Sequence, residues 1–414
     1  MKRRSARLLT LLGGVAILGA ACAQSTPTAS TVTVTFWHGY NPEETKVFNE
    51  KVVAAFQQAH PNIKIQAQAV PYDTFHKKLL TAIAGGQSPD VIRADIIWVP
   101  ELADLGALVA LDTAMTDFNT YSSKVFPGPL STNQFKGHYY GLPLDTNTRV
   151  LLWNKAMYAQ AGISSPPATV DEFTSDVAKM SNGKDKFGYA EGGTGGWNFL
   201  PWLWTFGGNV TDDSVTKASG YLNGPDSVAA LSWFVNLYKS HQMGPSVLGG
   251  DPHTDVGYAK DVYANVLDGP WMVPIFKAVY PSKTVDLAPI PAGKGGSSSV
   301  VGGEDIVLFK ESQHKAEAQE FIRFMLSRQT QVTMGNIGQM PVLSELAGSP
   351  DLPSFFAVFQ QQLKTAKART PSPAWPKIDD AIGTAVTLAI KGQATPQQAL
   401  DQAANTIDGL LKGS

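Results

Sequence analysis

The sequence contains little cysteine and few charged residues, and both shortages exclude classes of function. Its single cysteine, Cys22, rules out an internal disulfide and the zinc or iron–sulfur sites that cysteine clusters build. Charged residues make up 16 % of the 414 residues, below the usual ~25 %. The net charge of −2 offers no basic excess that would hold nucleic acid through its phosphates. Hydrophobic residues, at 43 %, suffice for a folded core, which excludes a disordered chain.

The first thirty residues have the pattern of a targeting segment. Residues 1–7 carry four basic and no acidic side chains, and residues 8–21 are apolar but shorter than the roughly 20 residues of a membrane span. This predicts a signal peptide over residues 1–21. We expect Cys22 to become the lipidated first residue, the alternative being an Ala21-Cys22-Ala23 site for the general signal peptidase. Residues 22–31 would then be the anchor and a flexible tether at the outer face of the cytoplasmic membrane.

The body of the chain alternates between strand and helix patterns. Residues 32–36 and 63–70 alternate as strands do, and residues 41–60 and 73–84 have helical spacing of apolar side chains. This order predicts parallel pairing in an α/β lobe. Residues 192–208 are rich in glycine and aromatics, lack the glycine spacing of a phosphate-binding loop, and are expected to form an aromatic loop.

Several segments together resemble the extracellular solute-binding proteins of ABC importers, in the maltose- and trehalose-binding branch. The segments that carry the resemblance are FWHG at 36–39, AGGQSPDV at 84–91, YYGLPLDTNTRVLLWNK at 139–155, AGISSPPATVDEF at 161–173, DGPW at 268–271, VGGEDIVLF at 301–309, RTPSPAW at 369–375 and ATPQQAL at 394–400. They follow the family's order over nearly the whole chain.

The resemblance implies an α/β, two-lobed, periplasmic-binding-protein-like fold with an interlobe ligand cleft. Lobe one would comprise residues 32–143 and 303–340, and lobe two residues 144–302 and 341–414. The hinge crossings would lie near residues 143, 303 and 338. The implied function is capture of a neutral sugar, such as an α-glucoside, for delivery to an ABC permease. The resemblance further implies a monomer that is not an enzyme and needs no cofactor or metal.

Sugar binding needs aromatic rings for the C–H faces of the sugar and planar polar groups for its hydroxyls. Three tryptophans lie beside glycine, proline or a polar residue in turn-like sequence, at positions 37, 197 and 271. By resemblance, Trp271 would be the stacking platform. The full set of predicted ligand residues is Trp37, His38, Gly39, Asp95, Trp98, Asp145, Trp197, Trp202, Trp271, Gly303, Glu304 and Arg369. For each aromatic the alternative is core packing, and for each polar residue a cap, turn or salt-bridge role.

The carboxylate of Glu304 needs a partner if it is buried, and Arg369 is the candidate partner or co-ligand. The predicted cleft has three acidic side chains and one basic side chain: Asp95, Asp145 and Glu304, and Arg369. This charge balance favours a neutral polyol over an anion as the ligand. Two other functions stay open at this point. One is a binder of glycerol phosphate or another polyol, and the other is a glycoside-processing enzyme, which would need two facing carboxylates.

Overall fold

The computed structural model describes residues 31–412. The predicted signal peptide, Cys22 and residues 23–30 of the tether lie outside the described residues. None of the helices between residues 31 and 412 combines the length and the apolar character needed to cross a membrane.

Eleven strands occur in the described chain. They are β1 Val32–His38, β2 Ile63–Ala69, β3 Val91–Asp95, β4 Gln134–Phe135, β5 His138–Tyr139, β6 Gly141–Thr148, β7 Val150–Trp153, β8 Asn265–Asp268, β9 Asp286–Ala288, β10 Ser299–Leu308 and β11 Ala366–Lys367.

Eighteen α-helices occur in the described chain. They are α1 Pro42–Val47, α2 Ala54–Ala59, α3 Tyr72–Ala84, α4 Val99–Asp104, α5 Leu111–Ala114, α6 Phe118–Ser122, α7 Pro127–Ser131, α8 Lys155–Gln160, α9 Val170–Met180, α10 Gly196–Thr205, α11 Pro225–Lys239, α12 Thr254–Ala259, α13 Met272–Val279, α14 Lys315–Met325, α15 Arg328–Gly335, α16 Phe356–Leu363, α17 Trp375–Ile390 and α18 Pro396–Leu411. A π-helical segment, Phe48–Val53, joins α1 to α2, and short 3₁₀ helices span Pro245–Leu248 and Ser344–Leu346.

The first helix begins where its sequence signals place it. Asn41 accepts a hydrogen bond from the backbone N–H of Glu44, and the Glu44 carboxylate accepts one from the N–H of Asn41. This capping box, with Pro42 in the first turn, satisfies N–H groups that have no partner inside the helix. The helix therefore starts at Pro42, with three residues between it and the end of β1 at His38.

Two sheets organise the molecule. The larger has strand order β11-β10-β3-β1-β2, with β6 also paired to β10, and the smaller has order β8-β7-β9. The predicted parallel pairing is found between β1 and both of its neighbours, β2 and β3. By contrast, β10 is antiparallel to β3 and β6, so the larger sheet is mixed.

The buried hydrophobic residues form separate cores on the two sides of the long strand β10. Two clusters, built around Phe36 and Phe75, draw their buried residues from 34–144 and 306–346. Two others, built around Trp202 and Phe276, draw theirs from 150–300, from Met340 and from 356–407. The molecule therefore has two α/β lobes, each with its own core.

Three segments pass from one lobe to the other: β6, β10 and residues 338–347. β6 and β10 run side by side, and Met340 bridges to Thr146 of β6. Gly303 and Gly338 have φ angles of +139° and +104°, which side chains rarely allow. A Cβ on Gly303 would also lie 2.5 Å from the carbonyl oxygen of Asp145. The crossings therefore need glycine where a hinge must absorb a dihedral change.

The segment 192–208 differs from the sequence expectation, because residues 196–205 form the helix α10 instead of a loop. Pro201 lies inside this helix and cannot donate to the carbonyl oxygen of Trp197, four residues earlier. The guanidinium of Arg149 donates to that oxygen at 3.0 Å instead. A distant residue thus compensates for the proline, which no local pattern in the sequence reveals.

Candidate ligand-binding site

Two tryptophan side chains stack on each other between the lobes. Trp197 lies in the first turn of α10 and Trp271 directly precedes α13, with ring centroids 6.2 Å apart and planes 29° from parallel. Both side chains are partly exposed. The Trp271 ring lies over Gly269, where a Cβ would approach it to 2.2 Å. Partly exposed aromatic faces of this kind suit the C–H face of a sugar ring.

A buried ion pair fixes the Trp197 end of this stack. Arg149 donates from Nη2 to Oε2 of Glu191 at 2.8 Å, and both side chains are almost fully buried. The same guanidinium lies 5.8 Å from the centre of the Trp197 ring, within range of a cation–π contact. Arg149 thus holds both the backbone and the ring of Trp197.

The carboxyl end of β3 contacts lobe two through a second ion pair. Asp95 is buried and accepts hydrogen bonds from the Tyr72 hydroxyl and from the backbone N–H of Ile97, the latter at 3.1 Å. Arg369 donates to its Oδ1 at 3.0 Å and lies 5.6 Å from the Trp197 ring centre. The contacts therefore run from Tyr72 in lobe one to the tryptophan stack in lobe two. The partner of Arg369 is Asp95, whereas the sequence analysis expected Glu304.

The partner of Glu304 is Arg93, an arginine in the middle of β3. Arg93 Nη2 lies 2.6 Å from Oε2 of Glu304 and 3.0 Å from Oδ2 of Asp145. It also donates to Oε1 of Gln339 at 2.7 Å. Burial raises the pKa of Glu304 well above its ordinary range, the Arg93 charge opposes that rise, and Asp145 adds to it. Asp145 and Glu304 thus meet at the crossing strands, as the sequence analysis placed Asp145.

A further carboxylate, Asp268, ends β8 beside the Trp271 platform. Its Oδ1 accepts a hydrogen bond from the backbone N–H of Gly269 at 2.8 Å. Burial raises the pKa of Asp268 to about 6, although the nearby Arg149 charge opposes this rise. A carboxylate beside an aromatic platform can accept a hydrogen bond from a hydroxyl of a stacked ring.

The raised pKa of Asp268 predicts a stability that falls as the pH rises. The folded protein keeps the Asp268 proton up to about pH 6, whereas an unfolded chain loses it near pH 4. The folded state therefore binds more protons between these values, and Asp268→Asn should remove that dependence. The free energy of unfolding of variant and parent is measured in urea at pH 4 and pH 7, and the variant-minus-parent difference should rise by about 2 kcal/mol on going to pH 7. If the free energies of unfolding of parent and variant differed by the same amount at both pH values, the raised pKa of Asp268 would be contradicted.

Three predicted ligand residues lie in the cores instead of the site. His38 is fully buried against Phe36, Tyr40 and Phe48, and burial lowers its pKa to about 3, so that it is neutral. The Trp202 ring is fully buried in lobe two, with its N–H donating to the Tyr189 hydroxyl at 2.7 Å.

Trp98 is also buried, packed against Phe75 and His76. A ring enclosed by protein on all sides offers no face to a ligand, so we leave Trp98, Trp202 and His38 out of the proposed site.

The structure places the other predicted residues at or beside the cleft. The Trp37 ring lies under the Lys78 ammonium, 4.4 Å from it, and its centroid is 6.5 Å from that of Phe75. Gly39 approaches Tyr72, and Gly303 accepts from the backbone N–H of Ile96 at 3.2 Å. Asp95, Asp145, Trp197, Trp271, Glu304 and Arg369 are brought together around the crossings.

Sequence reasoning missed Tyr72, Arg93 and Arg149. Tyr72 stacks on Trp98 with one face, at 6.0 Å and 26°, while 49 % of the residue stays exposed. The two arginines stand inside apolar strand sequence, VIRAD and RVLLW. An arginine within a buried strand must be paired, so this context was a usable signal. Residues 31–412 contain no group of three or more His, Cys, Asp or Glu side chains arranged to hold a metal ion.

Comparison with known proteins gives consistent matches over most of the chain. The family model described as bacterial extracellular solute-binding protein matches residues 41–332. A binding protein of Brucella abortus is 26 % identical over 97 % of this chain and 98 % of its own. The maltotriose-binding protein of Pyrococcus abyssi is 25 % identical over 77 % of this chain and 68 % of its own. A solute-binding protein of an ABC transporter from Thermotoga lettingae, solved with α-D-tagatose, is 26 % identical over 92 % of this chain and all of its own, with a TM-score of 0.84.

Proposed function

Because the chain belongs to the family of bacterial extracellular solute-binding proteins, we propose that it captures a neutral oligosaccharide outside the cytoplasm and delivers it to an ABC permease. The α-glucosides are the proposed class, since maltotriose is the ligand of one similar protein. The observation that carries the proposal is the Trp197–Trp271 stack, which lies between the lobes with its polar neighbours.

Unsatisfied polar atoms around the stack support a ligand rich in hydroxyls. Nine buried side-chain nitrogen or oxygen atoms have no hydrogen-bond partner among the described residues, and four of them belong to the surroundings of the stack: Asp145 Oδ1, Asn147 Oδ1, Arg149 Nε and Arg369 Nε. Buried polar atoms are nearly always paired in folded proteins, with protein, water or ligand. A sugar supplies hydroxyls that both donate and accept, and so can pair with carboxylate, amide and guanidinium alike.

The charges of the cleft favour a neutral ligand over glycerol phosphate. Arg93 is paired with Asp145 and Glu304, Arg149 with Glu191, and Arg369 with Asp95. An anion would need a cation that is not already neutralised, and these three arginines are each neutralised by at least one carboxylate. This supports the sugar over the anionic alternative.

The mechanism we propose is closure of the lobes on the sugar. A sugar ring stacks on Trp271 of lobe two, and its hydroxyls reach Asp95 and the partly exposed Tyr72 of lobe one. Arg369 moves with the ligand-facing side of lobe two and competes with the hydroxyls for Asp95. A ligand that touches both lobes has more contacts in the closed form, and this difference in affinity shifts the population toward closure.

We propose the lobe boundaries 32–143 with 303–346, and 144–302 with 347–412. The division of the hydrophobic cores supports them. The sequence predicts that lobe two resumes at residue 341, but Val342, Leu343 and Leu346 pack in the lobe-one core, which favours a boundary after residue 346. We also propose that Cys22 anchors a monomer to the outer face of the cytoplasmic membrane through a lipid, and that the protein catalyses no reaction.

A thermal-shift series tests the proposed ligand class. The protein is heated with maltose, maltotriose, trehalose, a galactooligosaccharide or glycerol 3-phosphate. A ligand at about 100 times its dissociation constant should stabilise the fold by about 2.7 kcal/mol. We expect this with one or more of the glucosides and none with glycerol 3-phosphate. A shift with glycerol 3-phosphate alone would keep the binding fold and reject the sugar. No shift with any compound would reject the proposed ligand class.

A further inference from the structure

One guanidinium contacts all three segments that cross between the lobes. Arg93 donates from Nε to Asp145 of β6 at 3.1 Å and from Nη2 to Glu304 of β10 at 2.6 Å. Its Nη2 also donates to Gln339 of the third crossing at 2.7 Å. Only 6 % of Arg93 is exposed, and its flat face lies 4.6 Å from the Tyr40 ring centre. The side chain is therefore enclosed by protein and not available to a ligand.

The partners of Arg93 stand next to the hinge glycines. Glu304 follows Gly303, and Gln339 follows Gly338, the two crossing residues with positive φ. A rotation about either glycine shifts the neighbouring partner relative to the guanidinium. The planar fork of arginine can keep several acceptors at fixed angles, which the single ammonium of lysine cannot do. The hydrogen bonds of the Arg93 guanidinium therefore depend on how the three crossings are placed relative to one another.

The contacts continue from the third crossing into lobe one. Gln339 Nε2 donates to Oε1 of Glu44 at 2.6 Å, and Glu44 belongs to the capping box that begins α1. Arg93 and Gln339 therefore tie the crossings to β3 and to the first helix of the same lobe. The crossings are fastened to lobe one at this point, and lobe two is left to move against it.

A buried arginine with two carboxylates adds little to the stability of the fold, because apolar side chains of similar volume often stabilise it equally well. A polar cluster of this kind can instead select one arrangement of the chain among several of similar energy. The location of Arg93, where three crossings meet, fits that role.

We propose that Arg93 is a positioning residue for lobe closure: it holds the three crossings in one arrangement and thereby sets how completely the lobes close on the ligand. The proposal rests on the proposed function for the identity of the ligand. Arg93 does not touch the sugar. Its effect on affinity comes from the fraction of protein that reaches the closed form, which scales the apparent dissociation constant.

The test uses two variants. Arg93→Lys keeps the charge, and Gln339→Leu removes only the hydrogen bond from Arg93 to the third crossing and leaves both ion pairs of Arg93. Arg323→Lys is the matched control, because Arg323 also forms a two-pronged pair, with Asp117 of lobe one, far from the crossings. Since Cys22 is the only cysteine, Cys22→Ser allows specific dye labels at Thr113→Cys and Ser240→Cys. Both sites are exposed, one on each lobe.

Two readouts are taken for each folded variant: interlobe distances by single-molecule fluorescence transfer, and the dissociation constant for the sugar that shifts the parent. Arg93→Lys should broaden the distance distribution without ligand and weaken sugar binding at least tenfold. Gln339→Leu should change both in the same direction by a smaller factor, and Arg323→Lys should change neither. Parent-like distances and affinity in Arg93→Lys and Gln339→Leu, with only a lower melting temperature, would overturn the proposal.

The two proposals fail separately in this design. If the parent binds no sugar, the proposed function is rejected, but the ligand-free distance distributions still decide the role of Arg93. A broadened distribution in Arg93→Lys then supports the positioning role, and an unchanged distribution overturns it.

Discussion

Trp271→Ala is expected to weaken binding of the cognate sugar by about 100-fold, the largest effect that we predict for a single ligand contact. Covering one face of the indole with a sugar removes apolar surface from water, and the ordered ring adds a geometric preference for stacking. Together these terms are worth about 3 kcal/mol, and every 1.4 kcal/mol is about a factor of ten in the dissociation constant. Isothermal titration calorimetry of parent and variant with the same sugar measures the difference.

Two variants separate the loss of the platform from a loss of folding. Trp271→Phe keeps an aromatic face and should bind within about tenfold of the parent. Trp233→Ala removes a partly exposed tryptophan of the same lobe, which packs on Trp202 and donates to Thr174 at 2.9 Å, away from the stack. It should lower the melting temperature and leave affinity unchanged. If Trp271→Ala bound as tightly as the parent, Trp271 would not be the platform.

Arg149→Met is expected to lower the free energy of unfolding by about 3–5 kcal/mol, the usual cost of removing one partner from a buried ion pair. Glu191 is 0 % exposed and would keep a charge with no counter-charge. The carbonyl oxygens of Trp197 and Leu267 would also lose the donor that Arg149 supplies. Chemical denaturation of parent and variant measures the loss.

Arg328→Met is the matched control for this loss. Arg328 also pairs with two carboxylates, Glu345 and Asp351, but its side chain is 48 % exposed. Water solvates the partners after the change, so the variant should unfold close to the parent. Equal, small effects of both substitutions would contradict the view that Arg149 supports α10 and the Trp197 ring.

The elements with clear local signals were predictable from the sequence. The last helix, α18, follows the capping Thr395, begins at Pro396 and ends at Leu411, and a capping threonine followed by proline is a local signal for such a start. The α10 helix was not predictable, because its proline is tolerated only through a hydrogen bond from a residue 48 positions earlier. Local sequence signals report only on residues that are near each other in the chain, whereas the hydrogen bond from Arg149 comes from a distant part of it.

The same distinction applies to the candidate site. Trp197 follows a glycine and Trp271 a Gly-Pro pair in the sequence, and the structure stacks the two rings together. His38 and Trp202 have similar local surroundings but are buried, because burial depends on which elements pack above them. The pairing of Arg369 with Asp95, over 274 positions, follows from the approach of the two lobes, which no spacing in the chain encodes.

The most direct test of the account is a crystal structure grown with the neutral oligosaccharide that gives the largest thermal shift. The account predicts a sugar ring parallel to the Trp271 indole, between the lobes, with hydroxyls bonded to side chains from both of them, Asp95 among these. A sugar bound on the outer surface of one lobe, or bound between the lobes without contact to Trp271, would contradict it.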